Sequence, residues 1–515
     1  MNLARMIELS SGGLTPRDVI AVSREAADVA LTDEGRRAMA EGAAIVERLA
    51  DSDEPTYGVS TGFGSLAATP IPAERRSELQ RALLRSHAAG MGPPIEVEVV
   101  RAMMLLRART LAMGRSGARP EVVEAILALL NAGLTPVVPE HGSLGASGDL
   151  APLAHCALVL LGEGELLDRE GERHKAPGAL AAAGIEPLTL RAKEGLALIN
   201  GTDGMLGMLI LAIEDLGRLV KVADVSAAMA VEALLGTDRA FAADLIALRP
   251  QPGQAASAAN LIRLLDGSQI VASHREDDPR VQDPYSLRCA PQVNGAVRDT
   301  LAHAALVADA ELEAAIDNPM ILPDGRVESC GNFHGAPVGF ACDFLAIASA
   351  ELGAIAERRT DRLLDSARSH GLPPFLADDP GVNSGLMLAQ YTQAAMVAEN
   401  RRLAAPASVD SLPTSAMQED HVSLGWGAAR KLRAALANLE RILAVELTCA
   451  ARGLDLRAPL EPAAGTRAAL DALREAGIPG PGADRWLSPE LGAAEGLVAS
   501  GELVAAVEDS IGALR

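Results

Sequence analysis

The chain has 515 residues, a formal net charge of −22, and 49% hydrophobic but only 2% aromatic residues. So acidic a surface repels polyanions and argues against a nucleic-acid partner, while the length and apolar content allow a sizeable core. Cys156, Cys289, Cys330, Cys342 and Cys449 are odd in number and form no C-x-x-C pair, which predicts reduced core thiols in a cytoplasmic protein with neither disulfides nor structural zinc.

No basic segment followed by an apolar one opens the sequence, because residues 1–11 are short and include Glu8. Thr15-Pro16 starts a predicted helix over 15–30, and a second follows over 33–49. Residues 55–68 read as a flexible Gly-rich loop holding Tyr57, a packing anchor or a catalyst. A helix over 78–89 ends at Gly90 before Pro93-Pro94, and its late His87 suits a helix C-terminus. Helices are predicted over 97–113 and 121–132, the latter closed by Gly133.

Residues 142–149, GSLGASGD, hold three glycines within seven positions, so the backbone can turn tightly. The pattern G-x-x-G-x-x-G matches neither phosphate-loop signature, and Asp149 spoils a G-x-S-x-G nucleophile elbow. Two readings remain. One is an ordinary Gly-rich turn before a helix. In the other, the Gly148 amide nitrogen attacks the Ala146 carbonyl carbon. Loss of one water closes an imidazolone, and loss of a second from Ser147 leaves an electrophilic methylene. Asp149 and Pro152 are proper helix-start residues, so a positive helix end is expected near the tripeptide. The apolar run 150–162 is only 13 residues and includes His155, which favours a buried helix over a membrane span.

Residues 163–190 read as an irregular excursion with short strands near 165–167 and His174. Asn200 stands at a helix start and could be an N-cap. From 205 onward the chain is mostly helix, with apolar stripes at Leu345, Ala348, Leu352, Ile355 and Leu363 and at Leu432, Leu436, Leu439, Leu443 and Leu447. Long helices with narrow stripes predict a bundle that self-associates. Loops are expected over 281–289, 317–335 and 414–421, and the region after 457 reads as a polar extension. The nine histidines form no convincing metal-binding or Ser-His-Asp spacing, and His421 reads as structural.

GSLGASGDLAPLAH at 142–155 resembles the cofactor-forming segment of the aromatic amino-acid ammonia-lyases, and the likeness extends from about Leu14 to about Leu456. The resemblance implies a mainly α fold with little β: an N-terminal domain, 1–200, carrying the cofactor loop, and a long helical bundle with C-terminal helices, 201–515. It implies that Ala146, Ser147 and Gly148 become 4-methylideneimidazole-5-one (MIO), with no external cofactor and no metal. YGVSTGFG at 57–64 is similar to the family's lid loop, whose tyrosine is the acid–base group; Ser60 stands where Asn is frequent.

The Ser86-His87 pair marks the members that act on histidine, so the implied reaction is removal of ammonia from L-histidine to give trans-urocanate. By the same resemblance Asn200 and Arg288 contact the substrate carboxylate, and Gln282 and Tyr285 line its ring. Phe333 braces the electrophile, Met387 is an apolar wall, and Glu419 addresses the imidazole or serves as a second base. A phenol with a pKa of about 10 acts as a base only where its site favours the phenolate. Asp203, where histidine-cleaving members usually have Gln, and Met417, where Asn is common, are departures; an inward-pointing Asp203 would weaken carboxylate binding. The family assembles as homotetramers whose sites draw on several subunits. A tyrosine or phenylalanine lyase, an aminomutase, and a non-catalytic helical oligomer stay open as alternatives.

Overall fold

The computed structural model describes residues 6–52, 56–66, 69–276, 278 and 280–515. It is 60% helix and 6% strand, so the mainly α expectation holds. The chain forms two compact units: residues 1–211, 305–342 and 406–430 in the first, and 212–304, 343–405 and 431–515 in the second. Four of the five divisions fall inside long helices, Asp203–Ala233, Ala290–Glu313, Ala336–Leu364 and Gly425–Asp455, and the fifth follows the Met387–Leu403 helix.

In the first unit, Thr15 and Asp18 form a capping box, but the helix stops at Arg24 rather than running to 30. Val29–Leu31 instead pairs in parallel with Ile7–Leu9, and edge pairing overrides helical propensity there. The Val97–Ala112 helix is buried along nearly its whole length and forms the unit's axis. The predicted 78–89 helix is Arg76–His87, capped at Ala88, not at Gly90. Met91–Pro94 then pairs antiparallel with Pro139–His141, which brings the helix end bearing His87 beside the entry to residues 142–149. Trp426, 1% exposed, donates its indole N–H to Glu140 O at 2.8 Å and fixes the far side of that entry. Strands form over Glu165–Leu167 and Arg173–Lys175, as expected, and an unexpected helix, Ala176–Ala183, follows them.

The second unit packs the remaining halves of the long helices. Leu432, Leu436, Leu439, Leu443 and Leu447 are all buried, as the stripe requires. Its core also holds charge. Arg359 and Glu446 are both wholly buried; Arg359 Nη2 donates to Glu446 Oε2 at 3.0 Å, and Ser226 Oγ donates to the same oxygen at 2.7 Å. The 281–289 loop contains a four-residue helical turn, Tyr285–Arg288, contrary to the loop expectation; Pro284 sits at its N-cap, where its missing N–H costs nothing. The region after 457 folds into three helices, Ala464–Glu475, Ser488–Ser500 and Glu502–Ile511, rather than remaining an extension. Two helical stretches, Glu194–Ala233 and Ala336–Leu364, are long and apolar enough to cross a bilayer, but 94% and 67% of their most apolar windows are buried in the protein.

Breaking a buried ion pair from one side strands the other charge. Arg359→Met should therefore destabilise the protein by roughly 3–5 kcal/mol in denaturant unfolding. Arg326→Met, which breaks the exposed pair with Asp324, should leave the midpoint unchanged.

Candidate active site

The 142–149 stretch is tied by hydrogen bonds to residues 423–424 and to Gly201. Leu424 N donates to Leu144 O at 2.8 Å and Ser423 Oγ to Gly145 O at 3.1 Å. Asp149 N donates to Gly201 O at 2.7 Å. Gly145 and Gly148 have φ of +66° and +75°, and a Cβ on Gly148 would overlap the Gly201 carbonyl. Glycine is therefore required there by both conformation and space. Asn200 Nδ2 donates to Ser147 O at 3.0 Å. Asn200 ends the Glu194–Ile199 helix rather than capping the start of one.

Ala146 and Gly148 are buried, while Ser147 is half-buried and lines two cavities. The first, about 530 Å³, is walled by Leu83, His87, Leu196, Ile199 and Asn200. The second, about 690 Å³, is more polar and includes Phe333, His334, Asp420 and His421. Tyr57, Ser147, Asn318 and Glu419 line both. Ser147 Oγ donates to Glu419 Oε1 at 3.2 Å, and Thr414 Oγ1 donates to the other carboxylate oxygen at 3.0 Å.

The electrostatics are specific. His87 Nδ1 lies 2.9 Å from Leu83 O, which can only accept, so Nδ1 carries the proton and Nε2 is left as an acceptor. Burial holds the His87 pKa below its ordinary value, against the opposing pull of Leu83 O and Glu419, and favours this neutral form. Tyr57 OH accepts from Gly64 N at 3.2 Å. Burial raises the Tyr57 pKa; the Gly64 N–H lowers it, and Glu419 and Asp317 raise it further. That is opposite to the expected phenolate-favouring site, because burial disfavours the phenolate and the charges of Glu419 and Asp317 add to it.

Asp149 corrects another expectation. Its side chain makes no cap on the Leu150–Leu160 helix. It accepts from Ser143 Oγ at 2.8 Å and from Met205 N at 2.9 Å, and so caps the Asp203–Ala233 helix from outside. The Leu150–Leu160 helix nevertheless begins at the tripeptide, with Leu150 in the first cavity's lining. Burial lifts the Asp149 pKa to about 7, against its hydrogen bonds and with a contribution from Asp203. Asp203 is buried, is paired to Arg107, and lines neither cavity.

Gln282, Tyr285, Arg288 and Met387 belong to the second unit, and neither cavity's lining includes them. Tyr285 is 71% exposed, with the Arg288 guanidinium 4.6 Å from its ring centroid. Conversely, Asn318, His334 and His421, which the sequence motifs do not mark as site residues, line the cavities. His421 stacks on His334 at 5.7 Å between centroids. The Asp317-Asn318-Pro319 loop was the available signal for Asn318.

The sequence model of the family described as "Aromatic amino acid lyase" matches residues 14–475. The chain belongs to the aromatic amino acid lyase family. It is similar to the histidine ammonia-lyase of Streptomyces coelicolor, 60% identical over 509 residues and 99% of each chain. The histidine ammonia-lyase of Streptomyces griseus is also 60% identical, over 510 residues and 99% of each. Among solved structures, the tyrosine aminomutase from Streptomyces globisporus superposes with a TM-score of 0.93 at 38% identity, covering 99% of this chain and 100% of that one. Histidine ammonia-lyase from Trypanosoma cruzi gives 0.90 at 38% identity, covering 98% and 96%.

Membership of this lyase family implies an MIO group, and the residues fit one. The two outer members of the tripeptide are small and buried, the middle side chain lines both cavities, and Asn200 holds the middle carbonyl.

A carboxyl whose folded pKa is raised is favoured in its protonated form. The stability it contributes is present below its ordinary value of 3.8 and is lost as pH rises through about 7. Asp149→Asn removes that dependence. Relative to wild type, the variant should gain roughly 1–4 kcal/mol between pH 4 and pH 8 in urea unfolding.

Proposed function

We propose that this chain eliminates ammonia from L-histidine to give trans-urocanate, the first step of histidine degradation, with residues 146–148 cyclised to MIO. The observation that carries the reading is His87: a neutral ring whose Nδ1–H is committed to Leu83 O and whose Nε2 acceptor is available to the cavity that Ser147 lines. Similarity over the full length to proteins named histidine ammonia-lyase supports it.

Once formed, the MIO group supplies an electrophilic methylene that an amine can bond, which makes ammonia a better leaving group. The chain's own residues do the rest. The substrate imidazole donates an N–H to His87 Nε2, and Glu419, oriented by Thr414, accepts from the other side or serves as a second base. Asn200 and Arg288 take the carboxylate, the guanidinium in a bidentate grip. Gln282 and Tyr285 line the ring, Met387 supplies an apolar wall, and Phe333 packs behind Ser147. Tyr57 removes the β-proton.

Tyr57 must then lose its proton despite the carboxylates around it, which requires a nearby cation. Arg288 is the proposed source. Since Gln282, Tyr285, Arg288 and Met387 are outside both cavity linings, we assign them to sites of neighbouring copies in a homotetramer. The net charge of −22 and the burial of the long apolar helices accord with a cytoplasmic enzyme without nucleic-acid or membrane partners.

Purified protein should release urocanate from L-histidine and carry an intact mass two waters below that of its sequence. A cinnamate-type product from tyrosine or phenylalanine, with none from histidine, overturns the substrate. An unmodified mass overturns the prosthetic group and favours an inert helical oligomer.

Tyr57→Phe should lower kcat by about 10²–10⁴-fold with the mass deficit retained. Because the His87 pKa is depressed, its acceptor persists below pH 6.5 and is lost only as pH falls further. His87→Gln should remove that limb from the kcat/KM profile and leave only the titration of the substrate's own imidazole.

A further inference from the structure

Behind the tripeptide stands a wall made of backbone and buried charge. Gly148 touches the Gly201 backbone: a Cβ on Gly148 would overlap Gly201 O and C and lie 2.8 Å from Gly201 N. Gly201 is in turn pressed from its other side. A Cβ there would overlap Asp203 Oδ2 and lie 2.6 Å from Arg107 Nη1 and 2.9 Å from Arg107 Cζ. Nothing thicker than a glycine backbone separates the ion pair from the residue whose nitrogen must close the ring.

The pair itself is buried and tied to several segments. Arg107 is 2% exposed and its guanidinium spans three segments: Nη1 donates to Ala197 O at 3.3 Å, Nη2 donates to Ile316 O at 2.8 Å, and Nε faces Asp203 Oδ2 at 3.4 Å. Those segments carry Asn200, Asn318 and the first turn of the Asp203–Ala233 helix. Its electrostatic quality is poor, because Arg107 Nε and Asp203 Oδ2 both lack a hydrogen-bond partner. Burying such a pair is a weak source of stability. Position is what it provides.

We propose that the buried Arg107–Asp203 pair is a brace that presses Gly201 against Gly148 and thereby sets how completely residues 146–148 cyclise. In the closing step a bond forms between Gly148 N and Ala146 C. The Ala146 carbonyl oxygen leaves as water with the amide protons of Gly148 and Ser147. Ser147 Oγ leaves as a second water with its own proton and the Ser147 Cα proton. The first bond forms only if Gly148 N is kept near the Ala146 carbonyl, and a wall that cannot retreat raises the time spent in that geometry. Arg107 and Asp203 act through Gly201, so they are positioning residues.

This inference rests on the proposed cyclisation, and intact mass of the purified, folded protein separates the two. Asp203→Asn keeps the shape and removes the charge; Arg107→Lys keeps a charge and loses the three-point fork. Each should show at least a threefold smaller fraction of chains two waters light than wild type. Glu446→Gln, which breaks a comparably buried pair in the second unit, is the control for lost stability and should mature fully. Full maturation of both brace variants, or an equal deficit in Glu446→Gln, sinks the brace while leaving the function intact. An unmodified wild type sinks both.

Discussion

The close approach of two glycine backbones, Gly148 and Gly201, is the constraint on which the first unit depends. It requires a left-handed residue without a side chain at Gly148 and room for none at Gly201. Around that contact, polar groups are shared between the two segments. Asp149 N goes to Gly201 O, the Asp149 carboxyl caps the Asp203–Ala233 helix, and Asn200 returns a bond to Ser147 O. A buried backbone must satisfy its own donors and acceptors. Here the pairings that do so also hold the tripeptide with Ser147 lining both cavities.

The charge distribution bears on the proposal that neighbouring copies contribute residues to the site. Tyr57, Asp317 and Glu419 form an environment that opposes a phenolate. His87 is pushed toward neutrality by the same burial. A buried anion without a cation is costly, and the base of the proposed reaction must be an anion when it acts. In the proposed assembly it is Arg288, stacked on an exposed Tyr285, that brings a cation to Tyr57. Assembly, on this reading, does more than bury surface: it completes the electrostatics on which the proposed proton transfer relies.

Much of this was legible in the residues. The Ala-Ser-Gly tripeptide, the Tyr57 loop and Ser86-His87 are contiguous motifs, and contiguous motifs survive translation into space. The long helices announced themselves by apolar stripes such as Leu432 to Leu447. What escaped was set by tertiary partners. Val29–Leu31 left its helix because Ile7–Leu9 offers an edge. Asp149 has the look of a cap for the helix that follows it, yet it caps a helix that starts 54 residues later in the chain, at Asp203. Asn318 sits in an Asp-Asn-Pro loop whose sequence signals a loop but not which segments share the cavity it lines. His421 has the sequence context of a structural residue, and its stacking partner His334 comes from a segment more than eighty residues earlier.

Selectivity is the step at which fold stops informing. A tyrosine aminomutase superposes on this chain with a TM-score of 0.93, so the same scaffold carries different substrates. The first cavity's apolar wall of Leu83, Leu196 and Ile199 would accept a phenyl ring as readily as an imidazole. Apolar walls discriminate weakly, by about 10–200-fold per methylene, whereas a buried polar group left unpaired by the wrong ligand discriminates by about 10⁴–10⁵-fold. His87 is such a group. Its Nδ1–H is already spent on Leu83 O, so a phenyl ring would leave Nε2 desolvated with no donor, and an imidazole N–H would satisfy it. The proposed preference for histidine therefore rests on one helix-terminal hydrogen bond, the Nδ1–Leu83 contact that fixes the tautomer, more than on the size of the cavity it faces.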